Sequence, residues 1–138
     1  MKIGVTILAA GSSKRMGNQN KLLLLVNNKP ILYILCKSVL KADINQVVLV
    51  TGYQKKKIEN VLPNGIDTIV HNDHWEKGMM SSIHVGISNL QHDIDANMII
   101  LGDMPLIKTN TINRIICAFN NNKGKYIIYP TYNNIQAN

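Results

Sequence analysis

Two short segments hold the residues best suited to chemistry, one basic and rich in small side chains, the other acidic. The first is Leu8-Ala9-Ala10-Gly11-Ser12-Ser13-Lys14-Arg15-Met16-Gly17, with Lys21 a few residues on. Glycine and other small residues let main-chain N–H groups approach anionic oxygens closely, and Lys14, Arg15 and Lys21 add full charges to those partial ones. The segment therefore suits a phosphate. It is not a Walker loop, because Gly17 is followed by Asn18 where Gly-Lys-Ser/Thr is needed, and it lacks the G-x-G-x-x-G of dinucleotide sites. An ordinary glycine turn with a solvated basic pair is the alternative reading of the same residues.

The second segment is Gly102-Asp103-Met104-Pro105, which follows the apolar run Asn97–Leu101. Gly102 permits close approach, Pro105 forces an exit, and Asp103 offers a hard oxygen of the kind Mg²⁺ takes between bound phosphates. A turn or cap aspartate is the alternative. Asp93 and Asp95 lie in a polar connector and read as solvated turn residues. His71 and His74 have a spacing that allows pairing on a metal, yet no third His or Cys lies nearby, which argues against structural zinc. His84 and His92 have no partners that suggest chemistry. Cys36 and Cys117 sit inside apolar helical patterns and are expected as buried, unpaired thiols.

Both segments need a scaffold that brings them together. Lys2–Ala10, Gln46–Thr51, Ile66–His71, Met98–Leu101 and Tyr126–Tyr129 are short, mostly apolar runs, as expected of strands in a parallel sheet covered on both faces. Between them apolar residues recur at intervals of three and four, predicting helices from Pro30, over Tyr53–Leu62, from Met79 to Leu90, and over Thr109–Asn121. In the last of these Thr109 or Asn110 is a candidate cap, and Ile112, Ile115, Ile116 and Phe119 form one stripe. Strands alternating with helices specify an α/β fold, a Rossmann-like doubly wound and mostly parallel sheet with helices on both faces. In such a fold the loop after the first strand and the residue after Leu101 open on one crevice, outside the carboxyl ends of the strands.

With 138 residues, 46% of them hydrophobic, the chain can bury the core of a single domain, residues 1–138. Its net charge of +7 is uneven: residues 1–57 hold ten Lys/Arg against Asp43 alone, while residues 58–138 hold five against seven carboxylates. The positive field belongs to the half that carries the glycine loop, where it favours phosphate-bearing ligands. Lys55–Lys57 reads as a solvated helix face. A nucleic-acid-binding role is disfavoured, since one Trp and one Phe make no stacking platform. No apolar run approaches the roughly 20 residues of a membrane span, and the N-terminus is unlike an export signal, so no membrane association and a cytoplasmic protein are expected.

Four separated segments resemble, in order, the molybdenum cofactor nucleotidyltransferase family of the NTP-transferase superfamily, most closely its cytidylyltransferase branch. They are LAAGSSKRMG with NKLLL (8–17 and 20–24), VVLVTGY (47–53), HNDHWEKGMMSSIHVGI (71–87) and IILGDMPLI (99–107). Guanylyltransferase relatives usually show Gly-Pro-Leu-Ala-Gly where this chain has Gly78-Met79-Met80-Ser81-Ser82. Methylerythritol cytidylyltransferases show Asp-Ala-Ala-Arg-Pro where it has Asp103-Met104-Pro105.

The resemblance implies a nucleotide-diphospho-sugar transferase-like fold, and transfer of a nucleoside monophosphate, CMP favoured, from CTP to a phosphorylated pterin, molybdopterin, with release of pyrophosphate. A sugar phosphate or other small phosphorylated acceptor is the alternative within the superfamily. By position, Leu8, Ala10 and Gly11 would meet the nucleotide through the backbone, with Ala9 and Ser12 in the same binding loop. Arg15 and Lys21 would lie near the phosphates, Ser82 would hold the nucleoside, and Asp103 would bind Mg²⁺, the cofactor. Arg15, Lys21 and Asp103 form the expected catalytic set. The chain stops at Gln136-Ala137-Asn138, about where relatives continue into Asn-Pro-Val and a Gly-Asp-x-Gly-Ala-Arg-like stretch. The acceptor side of the site, with a second carboxylate for the metal, is thus expected to be missing. Two outcomes follow, a shortened enzyme or a nucleotide-binding module without turnover, and an uncovered apolar edge makes a homo-oligomer the expected assembly.

Overall fold

The computed structural model describes residues 1–13, 17, 19–132 and 135–136. The chain runs through β1 (Ile3–Ala9), two-residue strands β2 (Leu25–Val26) and β3 (Lys29–Pro30), α1 (Ile31–Val39), β4 (Gln46–Thr51), α2 (Lys55–Glu59) and β5 (Thr68–His71). It continues through α3 (Met79–Ser88), β6 (Ala96–Leu101), α4 (Thr109–Asn121), and two-residue strands β7 (Thr131–Tyr132) and β8 (Ile135–Gln136). Four strands form one parallel sheet in the order β5-β4-β1-β6, in which Leu8 pairs with Val50 on one side and Leu101 on the other. The chain builds outward from β1 through β4 to β5, then crosses back to lay β6 on the other flank of β1. That reversal places a topological switch point between β1 and β6.

Alternation along the strands sorts the core into two layers. Ile3, Val5, Ile7 and Ala9 of β1 and Val47 and Leu49 of β4 pack with Leu32, Leu35 and Val39 of α1 and Ile112 and Ile116 of α4. Leu8, Val48 and Val50 face the other way, toward Ile83, Val85 and Leu90 on and after α3. On that side α3 sits close to the sheet. A Cβ on Gly86 would fall 2.2 Å from Thr6 Cγ2, so only glycine fits at this crossing. Coverage is complete over β1 and β4 alone; on the outer strands Ile69 and Ile99 are exposed. No helix among the described residues is long and apolar enough to cross a membrane.

Gln46–Thr51 and Thr109–Asn121 have the bounds that their patterns indicate, while three local expectations fail. Tyr126–Tyr129 is not a strand: Tyr126, Ile127 and Tyr129 are exposed, and the chain turns first through Lys123 and Gly124 at positive φ. β-Propensity reports fitness for a pleated, half-buried surface and needs a sheet edge within reach. The α4 cap is also different. Thr109 Oγ1 donates to the Ser38 carbonyl at 2.8 Å, and no side chain caps the helix. Cys117 is exposed where burial was expected, because it follows buried Ile116 and lies about 100° further around the helix, off the apolar stripe. Cys36 is buried as expected, and burial pushes its thiol up to about 12.

Candidate functional site

β1 ends at the switch point, with its last carbonyls held by both neighbouring strands. Gly102 N, just past β6, donates to Leu8 O at 2.9 Å, and Tyr53 N, just past β4, donates to Ala10 O at 3.0 Å. Gly102 is required for this approach, since a Cβ there would lie 2.8 Å from Leu8 O. Beyond the clamp the chain is open. Among the described residues no acceptor takes the N–H of Gly11 or Ser12.

Lys21 begins a 3-10 turn over Lys21–Leu23, whose entry is capped by Asn20 through Oδ1 accepting from Leu22 N at 3.1 Å. Lys21 N in turn donates to Ser13 Oγ at 3.2 Å, tying the exit of the glycine loop to its entrance. This delivers the ammonium across the crevice to Asp103, with which Lys21 forms an ion pair. Both side chains keep 31–43% of their exposure, and a pair so exposed contributes at most about 1 kcal/mol to stability. The pairing therefore matters for where the charges stand, one cation and one carboxylate side by side at the end of β6.

The far wall comes from the segment between β5 and α3. Asn72, 2% exposed, is its hub. Its amide Nδ2 donates to Ser81 Oγ at 2.8 Å and Ser82 Oγ at 3.0 Å, and its Oδ1 accepts from His74 N at 2.9 Å. Its backbone N donates to Thr51 O, and its carbonyl accepts from Trp75 N. Asn72 thus joins three elements, the end of β4 and the 3-10 turn over Trp75–Lys77 through its backbone, and the first turn of α3 through its side chain. The Trp75 ring leans on Tyr53, with centroids 5.6 Å apart and planes at 54°.

These walls enclose a cavity of about 380 Å³, within the usual range for small-ligand sites. Leu8, Ala10, Gly11, Ser12, Lys21, Ser82 and Asp103, nominated from distant parts of the sequence, all border it. Ala9 does not; its side chain turns into the core with Ile7, as strand alternation requires. Arg15 and Lys14 fall outside the described residues. Trp75, Glu76 and Met79 also line the cavity and were not singled out from sequence. Asn72 was missed too, although a lone asparagine between His71 and the Asp73-His74 pair carries no local sign of burial. No group of three or more His, Cys, Asp or Glu stands together among the described residues. Asp103 offers a cation a single carboxylate. That suits Mg²⁺ held mainly by phosphates and water rather than by an all-protein cage.

Residues 5–137 match the MobA-like NTP transferase domain. The chain belongs to this family. It is 30% identical over 129 residues to 2-C-methyl-D-erythritol 4-phosphate cytidylyltransferase of Lachnoclostridium phytofermentans, an alignment covering 89% of this chain and 54% of that protein. It is also 30% identical to the bifunctional protein GlmU of Francisella tularensis subsp. novicida, over 87% of this chain and 26% of that protein. Among solved structures, a nucleotidyl transferase from Methanothermobacter thermautotroptrophicus superposes with a TM-score of 0.70 at 26% identity, covering 83% of this chain and 56% of that one. This member of the MobA-like family therefore spans about half the length of the cytidylyltransferase and of the solved structure, and about a quarter of GlmU.

Proposed function

We propose that the cavity beside Asp103 receives a nucleoside triphosphate, and that the chain carries the nucleotide-binding part of a nucleotidyltransferase. The observation behind this reading is the Lys21–Asp103 pair at the β1/β6 switch point, next to the N–H groups of Gly11 and Ser12, which no acceptor takes among the described residues. A cation and backbone donors suit the phosphates, and the carboxylate suits the counter-cation they bring. CTP is the favoured nucleotide, in keeping with the cytidylyltransferase relative and the resemblance of segments 71–87 and 99–107.

In the reaction an anionic phosphate oxygen of the acceptor attacks the α-phosphorus of the triphosphate. A P–O bond forms, the bond to the β-phosphate breaks, and pyrophosphate leaves with the electron pair. The attacking oxygen is already charged, so no protein base is required and catalysis rests on placement and on neutralising charge. Lys21, with Arg15 from the same loop, would neutralise the phosphates. Leu8, Ala9, Ala10, Gly11 and Ser12 would shape the backbone cradle, and Ser82, its hydroxyl set by Asn72, would hold the nucleoside. Mg²⁺ on Asp103 would withdraw charge from the triphosphate when bound.

A phosphorylated pterin, molybdopterin, is the acceptor favoured by the resemblance of segments 71–87 and 99–107. A polyol or sugar phosphate is the second reading, favoured by the 30% identity to a methylerythritol phosphate cytidylyltransferase. The protein would work in the cytoplasm. The test is a thermal-shift panel of CTP, GTP, ATP and UTP, each with and without Mg²⁺, followed by pyrophosphate-release assays with molybdopterin and with a polyol phosphate. A shift with CTP that grows with Mg²⁺ supports the site. Binding without pyrophosphate release from the triphosphate in the presence of either acceptor would leave a nucleotide-binding module, and no shift with any triphosphate would refute the reading.

A further inference from the structure

A second groove, of about 490 Å³, lies between α1 and the start of α4, and shares no residue with the cavity beside Asp103. Lys29, Tyr33, Lys37 and Lys41 follow one another at intervals of four and so line one side of α1 and its flanks. Lys108, Thr109 and Asn110 form the facing wall, which Thr109 pins to α1 through its 2.8 Å bond to Ser38 O. All four lysines are exposed, no carboxylate lines the groove, and none of the four is in an ion pair among the described residues. Asp43, the nearest carboxylate in sequence, is not part of it.

We propose that this groove is a second anion site, for a compact ligand carrying two or more phosphate groups. Four ammonium groups around one concavity, without an ion-pair partner among the described residues, repel each other, and a polyanion relieves that repulsion in a single binding event. The first turn of the 13-residue α4 adds to the same field, for it holds no acidic residue and no side-chain cap, and its first two residues, Thr109 and Asn110, line the groove. A nucleic-acid strand fits the groove less well. Tyr33 is the one aromatic residue that lines it, with Lys29 Nζ 5.8 Å from its ring centre, and a single ring is no platform for successive bases. The site is independent of the nucleotidyltransferase reading and stands or falls separately.

The probe is inorganic tripolyphosphate, followed through the ¹H–¹⁵N shifts of the Lys37, Thr109 and Asn110 amides, which belong to this groove and not to the cavity beside Asp103. Saturable shifts at these amides are expected. The double variant Lys37→Ala/Lys41→Ala should weaken that binding about tenfold, as loss of charge-assisted contacts implies. The double change to Arg should keep it, and Lys21→Ala should leave it unchanged. These exposed positions tolerate substitution, which equal melting temperatures will verify. Amides that do not respond, or an affinity indifferent to the double Ala change, would overturn the proposal. So would a mixed-sequence single-stranded oligonucleotide that moves the same amides at lower concentration than tripolyphosphate, since the groove would then be a nucleic-acid surface.

Discussion

Replacing Asn72 by Ala should both destabilise the protein and loosen its cavity, because this one buried side chain ties the cavity's far wall together. The substitution removes three hydrogen bonds, those to Ser81, Ser82 and His74 N. At about 0.5–1.5 kcal/mol each they account for about 3 kcal/mol in all. The void left by a fully buried amide adds to the loss, and rotation of the two serine hydroxyls toward other acceptors offsets part of it. For a chain of this length, about 3 kcal/mol corresponds to a fall in Tm of about 10 °C. Urea unfolding at constant m-value measures the first quantity, and calorimetric titration with CTP well below the new Tm measures the second. CTP affinity should fall about tenfold, since Ser82 and His74, at the entry to the Trp75 turn, lose the side chain that bonds both. Asn72→Asp keeps the acceptor for His74 N and should cost less stability than Ala at low pH, where the new carboxyl is protonated and can still donate. Burial disfavours the charged form, so its folded-state pKa lies above the unfolded value and its penalty grows as pH rises through the carboxylate range toward neutrality. A Tm within about 2 °C of wild type for Asn72→Ala, with CTP affinity intact, would refute the claim that Asn72 organises the site.

Four further outcomes are expected. Lys21→Ala should weaken CTP binding by about 1–3 kcal/mol, as loss of a charge-assisted contact does, while Asp103→Asn should abolish the gain in affinity on adding Mg²⁺ and leave the melting curve nearly unchanged; an Asp103→Asn protein that gains as much from Mg²⁺ as wild type would remove Asp103 as the ligand. Gly86→Ala should cost about 1–3 kcal/mol by driving a methyl into Thr6, and Thr6→Ala should recover part of that loss when combined with it, so a double-mutant cycle that shows strict additivity would contradict the close α3 crossing. Thiol titration of the native protein at pH 8 should show one accessible cysteine, Cys117, and a second only after unfolding, because Cys36 is buried with its thiol pushed up to about 12.

Much of the architecture was readable from local pattern. β4 and α4 have the bounds that apolar periodicity implies, because strand and helix repeats are set by neighbours within four residues. The glycine loop and Asp103 were readable for a related reason. Each follows directly on an apolar strand, and a parallel sheet sends the carboxyl ends of its strands to one side. Their meeting needed only the alternation of strands and helices, and the cavity they share agrees with that expectation.

What the sequence left open are the contacts made across the fold. Thr109 has the composition of a cap, yet its hydroxyl bonds Ser38, 71 residues earlier in the chain. Tyr126–Tyr129 has the composition of a strand yet joins neither outer strand of the sheet, β5 or β6. Asn72 looks like a surface residue among polar neighbours and is instead the buried joint between β4, the Trp75 turn and α3. Residue type and spacing settle which backbone conformation is favoured and which face is apolar, since those terms are summed over a few adjacent residues. Which donor meets which acceptor depends on how the helices settle on the sheet. A buried polar group must then take whatever partner the packing brings, because leaving it unpaired costs more than any local preference it would otherwise satisfy.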